Sequence, residues 1–240
     1  VAHAQAQIAA GADLIDIGAE SSRPGAVPTS LDEELRRLLP VLEALDGCGV
    51  PISVDTYKPE VMRAALAAGA SMINDIYALR MPGAIEAVSG TDCGVCLMHM
   101  QGEPLTMQQA PVYGDLLGEI RQFLDARVAA LAAAGVVCSR IVLDPGFGFG
   151  KSLDHNLALL RHLPASMPAD LPVLAGLSRK SMLGWITGRP VGERLPASLA
   201  AALLALDGGA RILRVHDVAA TRDAVSVWAA IRQPDMPLEC

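Results

Sequence analysis

The sequence predicts an α/β protein, a (β/α)₈ barrel folded as one domain over residues 1–240. Three observations predict it. Short apolar runs rich in β-branched residues alternate with Ala/Leu-rich amphipathic stretches along the whole chain. The runs are continuously apolar, as strands buried on both faces of a parallel sheet are. Nearly every run ends in reactive side chains: Glu20, Asp55, Asn74, His99, Asp144, Ser178 with Lys180, and Arg214 with His216. A barrel gathers its site at that rim, whereas a doubly wound open sheet uses mainly the strands at its switch point.

Taken in order, the first run is Leu14 to Gly18, and a helix from Leu31 to Leu45 follows it. Ile52 to Asp55 leads into a helix from Pro59 to Ala68, with proline where a first helical turn accepts it. Met72 to Ile76 and Val95 to Met98 are the next two runs. A helix from Tyr113 to Ala134 precedes Ile141 to Asp144, and one from Leu153 to Leu163 precedes Val173 to Leu177. Ala197 to Asp207 is helical before Ile212 to Val215, and Thr221 to Ile231 is the last helix. Gly11, Gly69, Gly135 and Gly209 stand where helices stop ahead of a strand. This makes seven strands, and the chain opens on a helix, Val1 to Ala10. A closed eight-stranded barrel expects one more strand before that helix, so the first strand is missing from this chain. No Pro/Ser-rich linker divides the sequence, which argues for a single domain.

Composition excludes several classes. The 240 residues are 52% apolar and 19% charged with a net charge of -7, enough for a substantial core. There is no basic patch and only 3% aromatic residues, so no nucleic-acid surface is expected. No apolar run reaches the ~20 residues of a membrane span, and no signal peptide opens the chain. Five cysteines, Cys48, Cys93, Cys96, Cys138 and Cys240, include one C-x-x-C with no second pair or His cluster at zinc spacing. They read as buried structural thiols of a reduced, cytoplasmic protein.

The stretch IVLDPGFGFGKS, Ile141 to Ser152, invites a nucleotide-binding reading. A phosphate-binding loop needs G-x-x-x-x-G-K-S/T, and Pro145 stands where its first glycine belongs. Gly146, Gly148 and Gly150 give G-x-G-x-G, which is not the dinucleotide fingerprint. The stretch reads better as a strand end whose loop opens into a site shared with other strands.

Asp55 in SVDTYKPE is either a helix cap or a ligand, and Asn74-Asp75 in MINDI is either a turn pair or part of a site. Asp144, ahead of Pro145, has the same two readings. Gathered on three strand ends, they form a ring of acceptors suited to a flat, donor-rich heterocycle. Lys180 ends another strand, and Arg214 and His216 alternate in RILRVHD, which puts both on one side. Such a pair suits an anion such as a diphosphate. Ser22-Arg23-Pro24-Gly25 is a strand-exit loop, either a lid or a surface turn. His99 reads as a packed imidazole, and His3, His155 and His162 as surface residues. Phe149 stacks on an aromatic substrate or anchors the glycine loop.

In order, DLIDIGAESSRPGA, ISVDTYKPEV, MINDI, CLMHMQGEPLTMQ, IVLDPGFGFGKSLDHN, GLSRKSMLG and ARILRVHDV resemble the dihydropteroate synthase family, from about Asp13 to Trp228. Seven segments in the right order are specific where each alone is weak. The resemblance implies a TIM barrel that condenses 6-hydroxymethyl-7,8-dihydropterin diphosphate with p-aminobenzoate in folate synthesis, releasing pyrophosphate. Sulfonamides occupy the p-aminobenzoate site of that family. It also implies that Asp55, Asn74, Asp144 and Lys180 hold the pterin, and that Arg214 and His216 take the diphosphate. Ser22, Arg23, Pro24, Phe149, Lys180 and Ser181 form the p-aminobenzoate side. Asp55, Lys180, Arg214 and His216 are then the catalytic residues, Mg²⁺ the cofactor, and a homodimer through late helices such as Ala197 to Ala205 the assembly. The family's metal-binding asparagine belongs to an N-V-T-P-D-S-F segment that these residues do not contain, so no metal ligand is assigned here. Ser22 stands where the family usually has threonine, which keeps the hydroxyl. Two rivals share the acidic ring: a methyltetrahydrofolate-using methyltransferase barrel and a catalytically silent pterin-binding paralogue. The methyltransferase has no need of the p-aminobenzoate loop or the Arg214/His216 pair.

Overall fold

A computed structural model of the chain describes residues 1–21, 25–168 and 170–232. Each apolar run becomes a parallel strand: β1 (Ile15–Gly18), β2 (Ile52–Asp55), β3 (Met72–Asp75), β4 (Gly94–Met98), β5 (Ile141–Asp144), β6 (Leu174–Ala175) and β7 (Ile212–Leu213). The first five pair in sequence order, β6 pairs with β7, and a bridge from Leu143 to Val173 joins the two groups. A doubly wound sheet reverses its order at a switch point. Here each strand lies beside the one before it, so the strands turn through an arc, as a barrel requires. Among the described residues no strand lies between β7 and β1, the place of the eighth strand that the sequence expects.

The helices are α1 (Ala2–Ala9), α2 (Leu31–Ala44), α3 (Pro59–Ala67), α4 (Ala84–Ser89), α5 (Leu116–Ala133), α6 (Leu153–Arg161), α7 (Ser181–Thr187), α8 (Leu195–Asp207) and α9 (Val218–Arg232). Two of them, α4 and α7, have no counterpart in the sequence reading. At six and seven residues they are too short to display a helical period. Side chains start the longer helices, with Ser30 accepting from the Glu33 amide and Asp115 from the Gly118 amide. His155, expected at the surface, instead completes a reciprocal cap on α6 with Ser152.

Two apolar layers hold the arc together. The larger lies between strands and helices: Val54, Ile73, Val95, Leu97, Ile141 and Leu143 pack with Leu38, Val61, Ile120 and Leu124, all fully buried or nearly so. Burying each such aliphatic side chain contributes roughly 1.5–3 kcal/mol. The smaller layer fills the inside of the arc, where Met72, Cys96 and Leu174 meet Val142 and Ile212. Alternation along a strand carries each of three inner apolar residues to a polar one two positions on: Met72 to Asn74, Val142 to Asp144, Ile212 to Arg214. The polar ring therefore sits one layer above the inner apolar plug, at the C-terminal end of the strands. Cys93 and Cys96 are buried free thiols as expected, but Cys48 is half-buried and Cys138 is exposed because it starts a surface turn before β5.

Candidate active site

The ring is assembled from β1, β2, β3 and β5 and from the residue after β7. In-register pairing sets Asp55 beside Asn74 at one level, while Asp16 pairs with Ser53, one inward-facing position below Asp55. Arg214 reaches back across the arc, pairing through Nε with Asp16 Oδ2 at 2.7 Å and through a terminal nitrogen with Asp55 Oδ2 at 3.1 Å. The Asn74 amide donates to the same Asp16 oxygen at 3.1 Å. Burial and the negative charge of Asp16 push the Asp55 carboxyl well above the ordinary carboxylate range, against the pull of Arg214. Burial pulls Arg214 down, but the carboxylates of Asp16, Asp55 and Asp144 outweigh it and hold the guanidinium above its usual value.

Asp144 carries two duties. Its Oδ1 accepts from the Gly146 amide at 2.7 Å, which fixes the turn after β5, and burial raises its pKa against the attraction of Lys180. Asp75 belongs wholly to the turn. It is fully buried and accepts from the amides of Tyr77 and Leu79 at 2.7 and 2.8 Å, leaving only Asn74 of the pair in the ring.

The glycine loop is clamped from below. Gly146 has φ +70°, and a Cβ there would lie 1.9 Å from the His99 carbonyl oxygen, so no side chain fits. Lys151 is buried beneath the loop, donating to the carbonyls of Gly146 and Phe149 at 3.0 and 3.1 Å and lying 3.0 Å from His99 Nδ1. Burial lowers Lys151 to about 7 and His99 to about 2. His99 is thus the packed imidazole that its apolar flanks predict. The anchor of the loop is Phe147, which is fully buried. Phe149 remains half-buried, with the Lys180 ammonium 4.7 Å from its ring centre.

Lys180 donates to the Phe147 carbonyl, and burial lowers its pKa to about 8 against the attraction of Asp144. It is aimed by its neighbour. Arg179 has φ +57°, an unusual value for a side-chain-bearing residue, and is held there by a two-pronged contact with Asp217 and by Ser198, which accepts from its amide at 2.9 Å. Ser181 is the exposed first residue of α7. His216 Nδ1 lies 3.0 Å from Ser178 Oγ, so the alternating pair of RILRVHD engages different partners. Ser22, Arg23 and Pro24 lie outside the described residues.

Glu20 is not part of the ring. It binds Lys58 and accepts from the Tyr57 hydroxyl at 2.8 Å, in a network with Glu34 and Thr56. A cleft of about 510 Å³, open to solvent, runs between that network and Glu103, Pro104 and Leu105. It reaches Asp55, while Asp144 and Lys180 are not among its walls. Beneath the ring, burial and the surrounding carboxylates push the Cys96 thiol well up, which makes it inert. The sequence reading missed Asp16, Lys151 and Arg179 as shapers of this site. For Asp16 there was a signal, a lone carboxylate inside the apolar run LIDIG.

A family model described as pterin binding enzyme matches residues 1–216. A dihydropteroate synthase of Escherichia coli strain K12 is 50% identical over 231 residues, covering 96% of this chain and 82% of that protein. Among solved structures, a Burkholderia cenocepacia dihydropteroate synthase complexed with 7,8-dihydropteroate is 58% identical with a TM-score of 0.93, over 97% of this chain and 86% of the other. A Yersinia pestis dihydropteroate synthase with a sulfonamide drug complex is 48% identical with a TM-score of 0.94, over 96% and 84% of the two chains. The fold is the (β/α)₈ TIM barrel of those enzymes, with seven of its strands among the described residues. The chain belongs to the pterin-binding enzyme family and, within it, to the dihydropteroate synthases.

Proposed function

We propose that this chain condenses 6-hydroxymethyl-7,8-dihydropterin diphosphate with p-aminobenzoate, giving 7,8-dihydropteroate and pyrophosphate. The observation that carries the reading is the mixed ring, with carboxylates and an amide from β1, β2, β3 and β5 facing cations that follow β6 and β7. The 7,8-dihydropterin part of the product bound by the Burkholderia relative and the sulfonamide bound by the Yersinia relative agree with it.

In this reading Asp55, Asn74 and Asp144 accept from the donor edge of the pterin, and Lys180 donates to its acceptors. Arg214 and His216 take the diphosphate, for which a guanidinium has the matching fork. Ser22, Arg23, Pro24, Phe149, Lys180 and Ser181 form the p-aminobenzoate side. The bond between the pterin methylene carbon and the diphosphate oxygen breaks, and its electron pair leaves with pyrophosphate. The amine of p-aminobenzoate then attacks that carbon and loses a proton. Arg214 and His216 neutralise charge growing on the leaving group, and Asp55 stabilises the cationic pterin. No side chain is needed as a nucleophile.

The resemblance implies Mg²⁺, an ion that usually keeps several waters and binds substrate phosphates with few protein ligands. The described residues do not fit it by themselves. Among them no three His, Cys, Asp or Glu side chains form a metal nest, and one oxygen of each ring carboxylate is already held, by Arg214 or by a backbone amide. No step above is therefore routed through the ion. No helix among the described residues is long and apolar enough to cross a membrane. Trp185, Ile186, Leu204, Val227 and Ile231 expose apolar surface on α7, α8 and α9, and the homodimer forms there.

The test is pyrophosphate release from dihydropterin diphosphate and Mg²⁺, with and without p-aminobenzoate. Release that depends on p-aminobenzoate supports the synthase. Absence of release, with pterin binding retained, would replace it by the silent binder.

A further inference from the structure

We infer that Asp16 is a positioning residue for this condensation: one carboxylate sets both the Asn74 amide that meets the pterin and the Arg214 guanidinium that meets the diphosphate. The inference rests on the reading above and adds to it a residue that the acceptor ring and the anion pair leave out.

Asp16 sits in the middle of β1, between Ile15 and Ile17, with a side chain only 13% exposed. A carboxylate at such a place is costly unless both oxygens are satisfied. The other acids buried nearby meet that condition. Both oxygens of Asp75 accept backbone amides, and both oxygens of Glu34 are engaged by Thr56 and Lys58. Asp16 is different. Its Oδ2 takes Arg214 Nε and Asn74 Nδ2, while its Oδ1 is buried with no hydrogen-bond partner among the described residues.

Two consequences bear on substrate. The bond to Asp16 fixes which way the Asn74 amide faces. With its NH₂ turned to Asp16, the carbonyl oxygen is left to accept a donor from the ligand. In the same way Asp16 holds Nε of Arg214 and Asp55 one terminal nitrogen, so the other terminal nitrogen of the fork is left for an anion. Asp16 also acts on Asp55. The charged groups facing Asp55 are Asp16 from β1, Glu34 from α2, Asp75 from β3 and Arg214 after β7, with Asp144 and Lys180 lying beyond Arg214. Removing the charge of Asp16 lets Asp55 ionise at lower pH.

The test compares wild type with Asp16→Asn, which keeps the shape and removes the charge. Three quantities are read: calorimetric affinity for 6-hydroxymethyl-7,8-dihydropterin, steady-state kinetics with the diphosphate substrate, and the pH–rate profile. The expected result is a ~10–100-fold loss in pterin affinity and in kcat, the worth of one charge-assisted contact. KM for p-aminobenzoate stays unchanged, and the acid limb of the profile moves to lower pH. A fall in kcat with an unmoved acid limb would mark a structural residue and overturn the inference, as would wild-type values throughout or loss of the native fold. The two readings fail separately. If wild type releases no pyrophosphate but Asp16→Asn still loses pterin affinity, the synthase falls and the positioning role stands.

Discussion

Replacing Asp55 by asparagine separates stability from activity. Asp55 ends β2 with its side chain 11% exposed, 3.1 Å from Arg214 and close to Asp16. Burial first, and Asp16 second, lift its pKa from an ordinary 3.8 to about 7. Because the folded value is raised, the native state holds the proton longer than the unfolded chain does. Its contribution to stability is therefore fully present below the unfolded pKa and is lost as pH rises through the folded one. At about 1.4 kcal/mol per unit, a shift of this size sets a ceiling of ~4 kcal/mol above neutral pH. Relaxation and water entry at a strand end reduce such penalties, so about 2 kcal/mol is expected. Asparagine does not titrate and still accepts from Arg214. Urea unfolding should show Asp55→Asn equal to wild type near pH 4 and more stable by that amount at pH 8, while pyrophosphate release falls at least ~100-fold. A stability difference that does not grow with pH would refute the electrostatic account. Unchanged turnover would remove Asp55 from catalysis.

Lys180→Ala removes the cation between Asp144 and the Phe149 ring, and calorimetry should show pterin affinity reduced ~10–100-fold, with unaltered affinity refuting its placement. Gly146→Ala forces a Cβ against the His99 carbonyl and should cost more than ~3 kcal/mol in urea unfolding. Gly135→Ala, also at positive φ but with open space around it, should cost only about 1 kcal/mol, and equal costs would show that the clamp under the glycine loop is unimportant. Leu204→Glu, on the exposed face of α8, should turn a sedimenting dimer into a monomer without loss of fold. A monomeric wild type would remove the dimer.

Much of this was legible because strands impose a short period on inner and outer faces. Ile212 and Arg214, or Val142 and Asp144, declare an apolar plug and a polar ring by alternation alone. The same rule applied to LIDIG would have put Asp16 inward, but one carboxylate in a short apolar run carries no local sign of its partner. Partners were the illegible part. Lys151 meets His99 from 52 positions away, and Arg179 meets Asp217 from 38. Nothing at either position announces the other. Glu20 looked like a rim residue because it follows β1, and only the fold reveals that Lys58 claims it. Asn74 and Asp75 are adjacent in sequence, yet alternation sends one to the ring and the other to the turn.

The order of charges along the chain explains why the ring needs the closing of the arc. Acids arrive first, Asp16 and Asp55 on adjacent strands and Asp144 after them. The cations come late, Lys180 after β6 and Arg214 after β7. Without Arg214, the repulsion between Asp16 and Asp55 would oppose the packing of β1 on β2. Arg214, 159 positions beyond Asp55, relieves it. The residue that makes the ring tolerable is also the one proposed to bind the diphosphate. An arriving anion then competes with Asp16 and Asp55 for the same guanidinium. A ring built for stability alone would replace these charges by packed apolar side chains, which is often neutral or stabilising. Keeping these charges makes sense only if a ligand of mixed character, donor edge on one side and anion on the other, completes the set.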